Sequence, residues 1–234
     1  MVFNVKNTTM QEIFELFCPH YCLGCGKLGC ILCEECKIYN SSDGVNECLK
    51  CGVIIKNTCG ACRLPYGCSW VVGPHEGELG KMVDGLKYES IRALARPMAE
   101  ILSSVLPCLP EDTVVVPVPT VAWHIRQRGL DHTWLIAGEL ARMRGWERAK
   151  LVRRITDTVQ VGANARLRRQ QARVAYALAG EVEAERPYLV VDDVYTTGAS
   201  LEAVCRVLKK GGAKNVSVAV LARAEDSRGL ALRQ

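Results

Sequence analysis

A cysteine repeat limits what this chain can fold into more than any other feature. Eight of its thirteen cysteines form four Cys-x-x-Cys pairs: Cys22/Cys25, Cys33/Cys36, Cys48/Cys51 and Cys59/Cys62. The pattern C-x-x-C-G-x6-C-x-x-C is written twice, with Gly26 and Gly52 following the second cysteine of the first and third pairs. Such a turn converges two thiolates on one tetrahedral ion, and glycine gives the backbone the conformation the turn needs. In a reducing compartment the pattern reads as metal ligation, and four thiolates leave no open position, so structural zinc, one or two ions, is expected. Sequential ligation (first pair with second, third with fourth) and a cross-braced arrangement have the same stoichiometry. Residues 18–66 carry few large apolar side chains, so metal binding, on the order of 10–16 kcal/mol for a structural zinc, is the natural source of their folding free energy. Cys18, Cys30, Cys68, Cys108 and Cys205 fall outside the scheme and read as ordinary thiols.

From Cys68 onward the texture changes. Apolar runs at "CSWVVG", "TVVVPVP", "YLVVDDV" and "NVSVAVLAR" alternate with helical spacing in "ELGKMVDGLKY", "IRALARPMAEILSSVL", "LDHTWLIAGELARMRG" and "ASLEAVCRVLKKGG". Pro97 must sit in the first turns of its helix or kink it. Strands that are almost purely apolar, alternating with helices, imply an α/β fold with a parallel sheet covered on both faces. The first seventeen residues suit a short amphipathic helix, and their layout is not that of a signal peptide. No run of eighteen apolar residues occurs, so membrane insertion is not expected and a cytoplasmic location is. A formal charge of +5 permits a phosphate-rich ligand without demanding one. "GCGKLG" matches G-x-G-x-x-G but has no strand before it, so it is not a dinucleotide loop.

The chemistry concentrates in "VVDDVYTTGAS", Val190 to Ser200. Ligands of such sheets bind beyond the carboxyl ends of the strands, where Asp192 and Asp193 fall. Gly198 allows close approach of the backbone, the amides from Thr197 to Ser200 belong to a helix start, and Thr196, Thr197 and Ser200 add hydroxyls. This is a cup for a monophosphate. Carboxylates repel phosphate, so the acids should face a sugar diol of the same ligand. A ribose 5-phosphate satisfies both halves. No G-x-x-x-x-G-K-[ST] occurs, which argues against a P-loop nucleoside triphosphatase.

The same eleven residues resemble the ribose-phosphate motif of type I phosphoribosyltransferases. With the cysteine-rich start, "LKY", "PVP", "RQRGLDH" and "RRITDTVQVGANARLRRQ", the chain resembles the ComF/GntX competence-associated branch. The resemblance implies a zinc-binding module at 18–66 after an N-terminal helix (1–17), then a phosphoribosyltransferase domain (67–234). It implies phosphoribosyl pyrophosphate as substrate, with Mg²⁺. Asp192 and Asp193 would hold the ribose hydroxyls, directly or through Mg²⁺, and Thr196, Thr197, Gly198, Ala199 and Ser200 the 5-phosphate. Lys87 would approach the pyrophosphate, and Thr120, Arg126 and Arg128 fall in the pyrophosphate loop. It also implies a link to DNA uptake and natural transformation, with DNA-uptake proteins as partners.

The chain departs from the branch in two places. Arg128-Gly129-Leu130-Asp131-His132 stands for Arg-Gly-Phe-Asn-Gln, and Leu167-Arg168-Arg169-Gln170-Gln171 for Glu-Arg-Arg-x-Asn. His132, alone near a helix start, reads as a cap or surface residue. Thr196 occupies the position where some members carry an acidic base. Arg142, Arg144, Arg148, Arg153, Arg154, Arg166, Arg168, Arg169 and Arg173 make the middle of the chain basic. That stretch could cover pyrophosphate as a loop or track single-stranded DNA. Trp134 and Trp146 read as core. The enzyme reading is transfer of phosphoribosyl to a nitrogenous acceptor. The alternative is a non-catalytic module that senses phosphoribosyl pyrophosphate or nucleotide and binds single-stranded DNA.

Overall fold

The computed structural model describes residues 21–39, 45–88, 91–155 and 174–224. A short helix, α1 (Glu34–Tyr39), lies in the cysteine-rich segment. After it come β1 (Ser69–Pro74), α2 (Gly77–Tyr88), a 3-10 turn (Arg92–Leu94), α3 (Ala95–Ser104), β2 (Val114–Pro117), α4 (Ala122–Arg128) and α5 (His132–Arg144). The chain continues through β3 (Glu147–Arg148), β4 (Val152–Arg154), β5 (Tyr176–Leu178), β6 (Pro187–Tyr195), α6 (Ala199–Lys210) and β7 (Asn215–Arg223). Five strands form a sheet in the order β1-β7-β6-β2-β3, with every neighbouring pair parallel. β4 and β5 pair antiparallel beside it.

Strand periodicity assigns the two faces. Val115, Leu189, Val191, Ala219 and Leu221 point to a core shared with Val83 and Leu86 of α2, Met98 and Leu102 of α3, and Ile136 and Leu140 of α5. Val114, Val116, Val190, Val218 and Val220 point the other way, onto Val204 and Leu208 of α6 and Val152 and Tyr176 of the β4–β5 pair. Burial on both faces is why these strands read as continuous β-branched runs. Pro97 is the third residue of α3, in its first turn, where a missing amide leaves no intrahelical bond unmade. α5 begins on Asp131, whose side chain accepts from the Trp134 amide, and closes, as its sequence suggests, on Gly145 in the left-handed conformation. As the run "YLVVDDV" suggests, β6 carries both acids, and it ends at Tyr195, which pairs with Arg223 of β7.

The cysteine-rich segment is built into both cores. Cys22, Leu32, Cys33 and Cys36 pack in the core of α2 and α3, and Leu49 and Tyr66 in the core of α6. Polar contacts hold it as well. Lys37 of α1 reaches Glu100 of α3 at 2.7 Å, and Arg223 at the end of β7 reaches Glu47 at 2.7 Å. The Asn46 side chain accepts from the Ser69 amide at 2.8 Å, capping the edge of β1. Among the described residues no helix is long and apolar enough to cross a membrane.

Candidate functional site

The cysteines gather as two separate quartets, Cys22/Cys25/Cys33/Cys36 and Cys48/Cys51/Cys59/Cys62, each with its sulfurs within 4.8 Å of one another. The grouping is sequential, not cross-braced. Both repeats fold alike: the Gly26 and Gly52 amides donate to the Cys22 and Cys48 carbonyls at 2.8 and 2.7 Å, and both glycines have positive φ, 76° and 74°. The Cys25–Cys33 and Cys51–Cys59 sulfurs are each 3.7 Å apart. A tetrahedral zinc with bonds of about 2.3 Å has an edge of about 3.8 Å, so both quartets fit that ion. Burial opposes ionisation of Cys22, but the backbone amides of Cys25, Cys33 and Gly24 bring its thiol down to about 6. Cys59, with the Cys62 amide and its neighbouring cysteines, falls to about 7. Each quartet therefore starts with one thiol already near its ligating form. Of the remaining cysteines, Cys205 is buried in the core, Cys30 and Cys68 are half-buried and Cys108 is exposed.

Near the carboxyl end of β6, Asp193 is buried at the heart of a charged cluster. Its Oδ1 accepts from the Val194 amide at 2.7 Å. Its Oδ2 lies 3.0 Å from Lys87 Nζ, at the end of α2, and 2.9 Å from His132 Nε2, at the start of α5. Both contacts fall outside directed hydrogen-bond geometry, so Oδ2 is held by the charge of Lys87 and by the N–H dipole that His132 presents to it. Burial works against ionisation, yet His132 and Lys87 hold the Asp193 carboxyl well below the usual carboxylate range. Asp192 is pushed the opposite way, by burial and by the charge of Asp193 beside it. Its Oδ1 accepts from the Asp193 amide at 3.0 Å. Two adjacent acids thus divide one charge, as interacting carboxylates do. Lys87, itself disfavoured by burial, is held charged by Asp193.

Beyond the acids the chain turns sharply into α6. Gly198 stands at the N-cap with φ 72° and ψ 1°, and no side chain caps the helix. A Cβ placed on it would lie 2.6 Å from Cε2 and Oη of Tyr195, so the turn is wrapped on that buried ring. Thr197 Oγ1 accepts from the Ala199 amide at 3.4 Å, and the first regular helical bond runs from the Glu202 amide to the Gly198 carbonyl. The amides that open α6 thus carry the partial positive charge of a helix start toward the turn. The Tyr176 hydroxyl accepts from Arg154 at 3.1 Å. Cations surround the cluster: burial first, then Arg128, Lys87, Arg154 and His132, hold the His124 imidazole below its ordinary value. The field at this end of the sheet favours an anion.

A phosphoribosyl transferase domain profile matches residues 143–231, the span that carries the acids and the turn. Competence protein F of Haemophilus influenzae is 30% identical over 92% of this chain and 100% of its own length. The chain belongs to the competence protein F family. The DNA utilization protein YhgH of Salmonella typhi is 28% identical over 76% of this chain and 85% of that protein. A hypoxanthine phosphoribosyltransferase from Staphylococcus aureus superposes loosely, at 12% identity and a TM-score of 0.35, covering 60% of this chain and 66% of that one.

The residues singled out from the sequence are brought together unevenly. Lys87, Asp192, Asp193 and the 196–200 turn converge. Thr120 donates to Asp131 Oδ1 at 3.0 Å, tying the loop after β2 to the start of α5. Arg128 lies over the Tyr88 ring, 5.0 Å from its centre, beside Lys87. Arg126 is exposed on α4. His132 is neither a cap nor a surface residue: Asp131 caps the helix, and His132 is buried on Asp193 because the first turn of α5 points into the sheet end. Trp146 is core, and Trp134 lies under the Arg148 guanidinium, 3.7 Å from its ring centre. Arg154 was read only as part of the basic stretch, and Tyr176 and His124 went unread as site residues, since neither stands in a local motif. Arg166, Arg168, Arg169 and Arg173, with Cys18 and the 1–17 segment, lie outside the described residues.

Proposed function

We propose that this chain binds phosphoribosyl pyrophosphate with Mg²⁺ and transfers its phosphoribosyl group to a nitrogenous acceptor, serving the uptake or use of DNA. The observation that carries the reading is the uncapped Gly198 turn set just after an acid pair that Lys87 and His132 contact, with the charges of Arg128 and Arg154 acting on the same cluster through His124. The family's link to competence, and the YhgH proteins' to DNA utilization, support the cellular role.

In this reading the amides and hydroxyls of Thr196, Thr197, Gly198, Ala199 and Ser200 bind the 5-phosphate, and the acid pair is turned to the ribose hydroxyls. Lys87 and Arg128 face the pyrophosphate, with Thr120 and Arg126 on the loop that flanks it. The bond from C1 to the pyrophosphate oxygen breaks as one to an acceptor nitrogen forms, and the acceptor proton leaves to solvent. Charge builds on the departing pyrophosphate, and fixed cations stabilise it. Hard carboxylate oxygens at Asp192 and Asp193 suit Mg²⁺, which when bound with the phosphates would neutralise part of that charge. The two cysteine quartets hold zinc and keep both faces of the site in place.

Incubation with phosphoribosyl pyrophosphate, Mg²⁺ and a panel of nitrogenous bases, followed by pyrophosphate assay and mass spectrometry of products, tests this. Acceptor-dependent pyrophosphate release is expected. Tight binding with no release would leave sensing as the function, and no binding would refute the reading outright.

A further inference from the structure

We propose that the two adjacent acids have different jobs: Asp193 is a positioning residue, clamped by His132 and Lys87, and Asp192 is the acid that meets the sugar. This rests on the ribose-phosphate reading of the site for its second half, but not for its first.

Partner counting decides it. Both oxygens of Asp193 are engaged within the protein: Oδ1 by the Val194 amide, Oδ2 by Lys87 and His132. Asp193 is 6% exposed and His132 4%. A sugar hydroxyl approaching Asp193 would have to displace a buried contact. Asp192 is less buried and accepts a single amide bond, from Asp193, on Oδ1. The clamp also joins three elements that are distant in sequence. It fixes the end of α2, the start of α5 and the tip of β6 about one carboxylate oxygen, and so sets where Lys87 stands relative to the turn at Gly198.

His132 Nδ1 is buried without a partner, so only Nε2 links the ring to the rest of the site. The clamp therefore needs one N–H group at that point rather than an imidazole as such. Glutamine can present an N–H at similar reach, and leucine cannot. This separates positioning from bulk packing: both residues fill space, but only one donates.

The test has two arms. In the ligand-free protein, thermal midpoints are measured for His132→Leu, Asp193→Asn and the double variant. The double shift should fall short of the summed single shifts by at least about 2 °C, the amount that a coupling of contacting groups moves a domain of this size. Additive shifts would overturn the clamp, whether or not any ligand binds. In the second arm, ribose 5-phosphate is titrated calorimetrically. His132→Leu and Asp193→Asn should each weaken binding several-fold, with the double variant no weaker than either. Asp192→Asn should weaken it about tenfold, and that loss should multiply with theirs. His132→Gln should restore affinity to within about threefold of the parent. If His132→Gln and His132→Leu bind equally weakly, or if the His132 and Asp193 losses multiply, the positioning role is wrong. If the parent itself fails to bind ribose 5-phosphate while the stability arm shows coupling, the ribose-phosphate reading falls and the clamp stands.

Discussion

Replacing Gly198 with alanine should damage both stability and ligand binding, for a reason that lies beneath the turn rather than above it. Gly198 has φ 72°, where an L side chain costs roughly 1–2 kcal/mol. The new Cβ would also lie 2.6 Å from the Tyr195 ring, which is 4% exposed and packed against the core of α6. Relieving an overlap of that kind in a packed interior adds about 1–3 kcal/mol. Together these give roughly 2–5 kcal/mol, or about 4–20 °C in midpoint for a domain of this length. Relief requires the turn to lift off the ring, and the amides that open α6 move with it. Ribose 5-phosphate affinity should then fall at least tenfold, on the order of 1.4 kcal/mol or more. Thermal unfolding and titration calorimetry measure both. Adding Tyr195→Leu should recover part of the loss, because the clash goes while the backbone strain stays. A Gly198→Ala protein as stable as the parent and equal in affinity would refute the reasoning.

Other consequences follow from the same geometry. Protein purified without chelators should carry two zinc ions per chain by elemental analysis, and Cys22→Ser or Cys59→Ser should each lose close to one; unchanged content in both would count against closed quartets. The quartets brace different cores, so Cys59→Ser should loosen the Leu49–Tyr66 side next to Tyr195. Cys22→Ser should loosen the α2–α3 side that carries Lys87, a difference visible in amide hydrogen exchange. Asp192 and Asp193 should show opposite pH signatures. The depressed Asp193 carboxyl contributes stability that is complete above the unfolded value and lost as pH falls through its folded one. The raised Asp192 carboxyl contributes at low pH and loses that contribution as pH rises. Asp193→Asn should therefore destabilise at neutral pH and flatten the acid limb, and Asp192→Asn should raise the neutral-pH midpoint; the reverse order would show that the pair has been assigned the wrong way round.

Much of the frame was legible in the sequence because its signals are local. Apolar strands buried on both faces announce a parallel sheet, Gly145 closes α5, and the spacing of cysteines gives four pairs of converging thiolates. The acid pair and the glycine turn could be placed at the carboxyl end of β6 from one stretch of eleven residues. What could not be read depends on which elements meet. His132 lies far from Asp193 in the chain, and no periodicity announces that the start of α5 points at the tip of β6. Arg154 and Tyr176 come to the turn through a strand pair of three residues each, too short to carry a pattern. Leu49 and Tyr66 look isolated in a cysteine-rich stretch and prove to belong to the α6 core. Nor does the motif reveal that Gly198 is required by the Tyr195 ring beneath the turn.

The claim at the centre of this account is that the acid pair and the turn after it form one sugar-phosphate site. Calorimetric titration of the zinc-loaded protein with ribose 5-phosphate tests it most directly, with inorganic phosphate and ribose as separate controls. The account predicts one saturable site per chain, tighter for ribose 5-phosphate than for either fragment, and lost in Gly198→Val. Equal affinity for inorganic phosphate and ribose 5-phosphate, or binding that survives Gly198→Val, would contradict it.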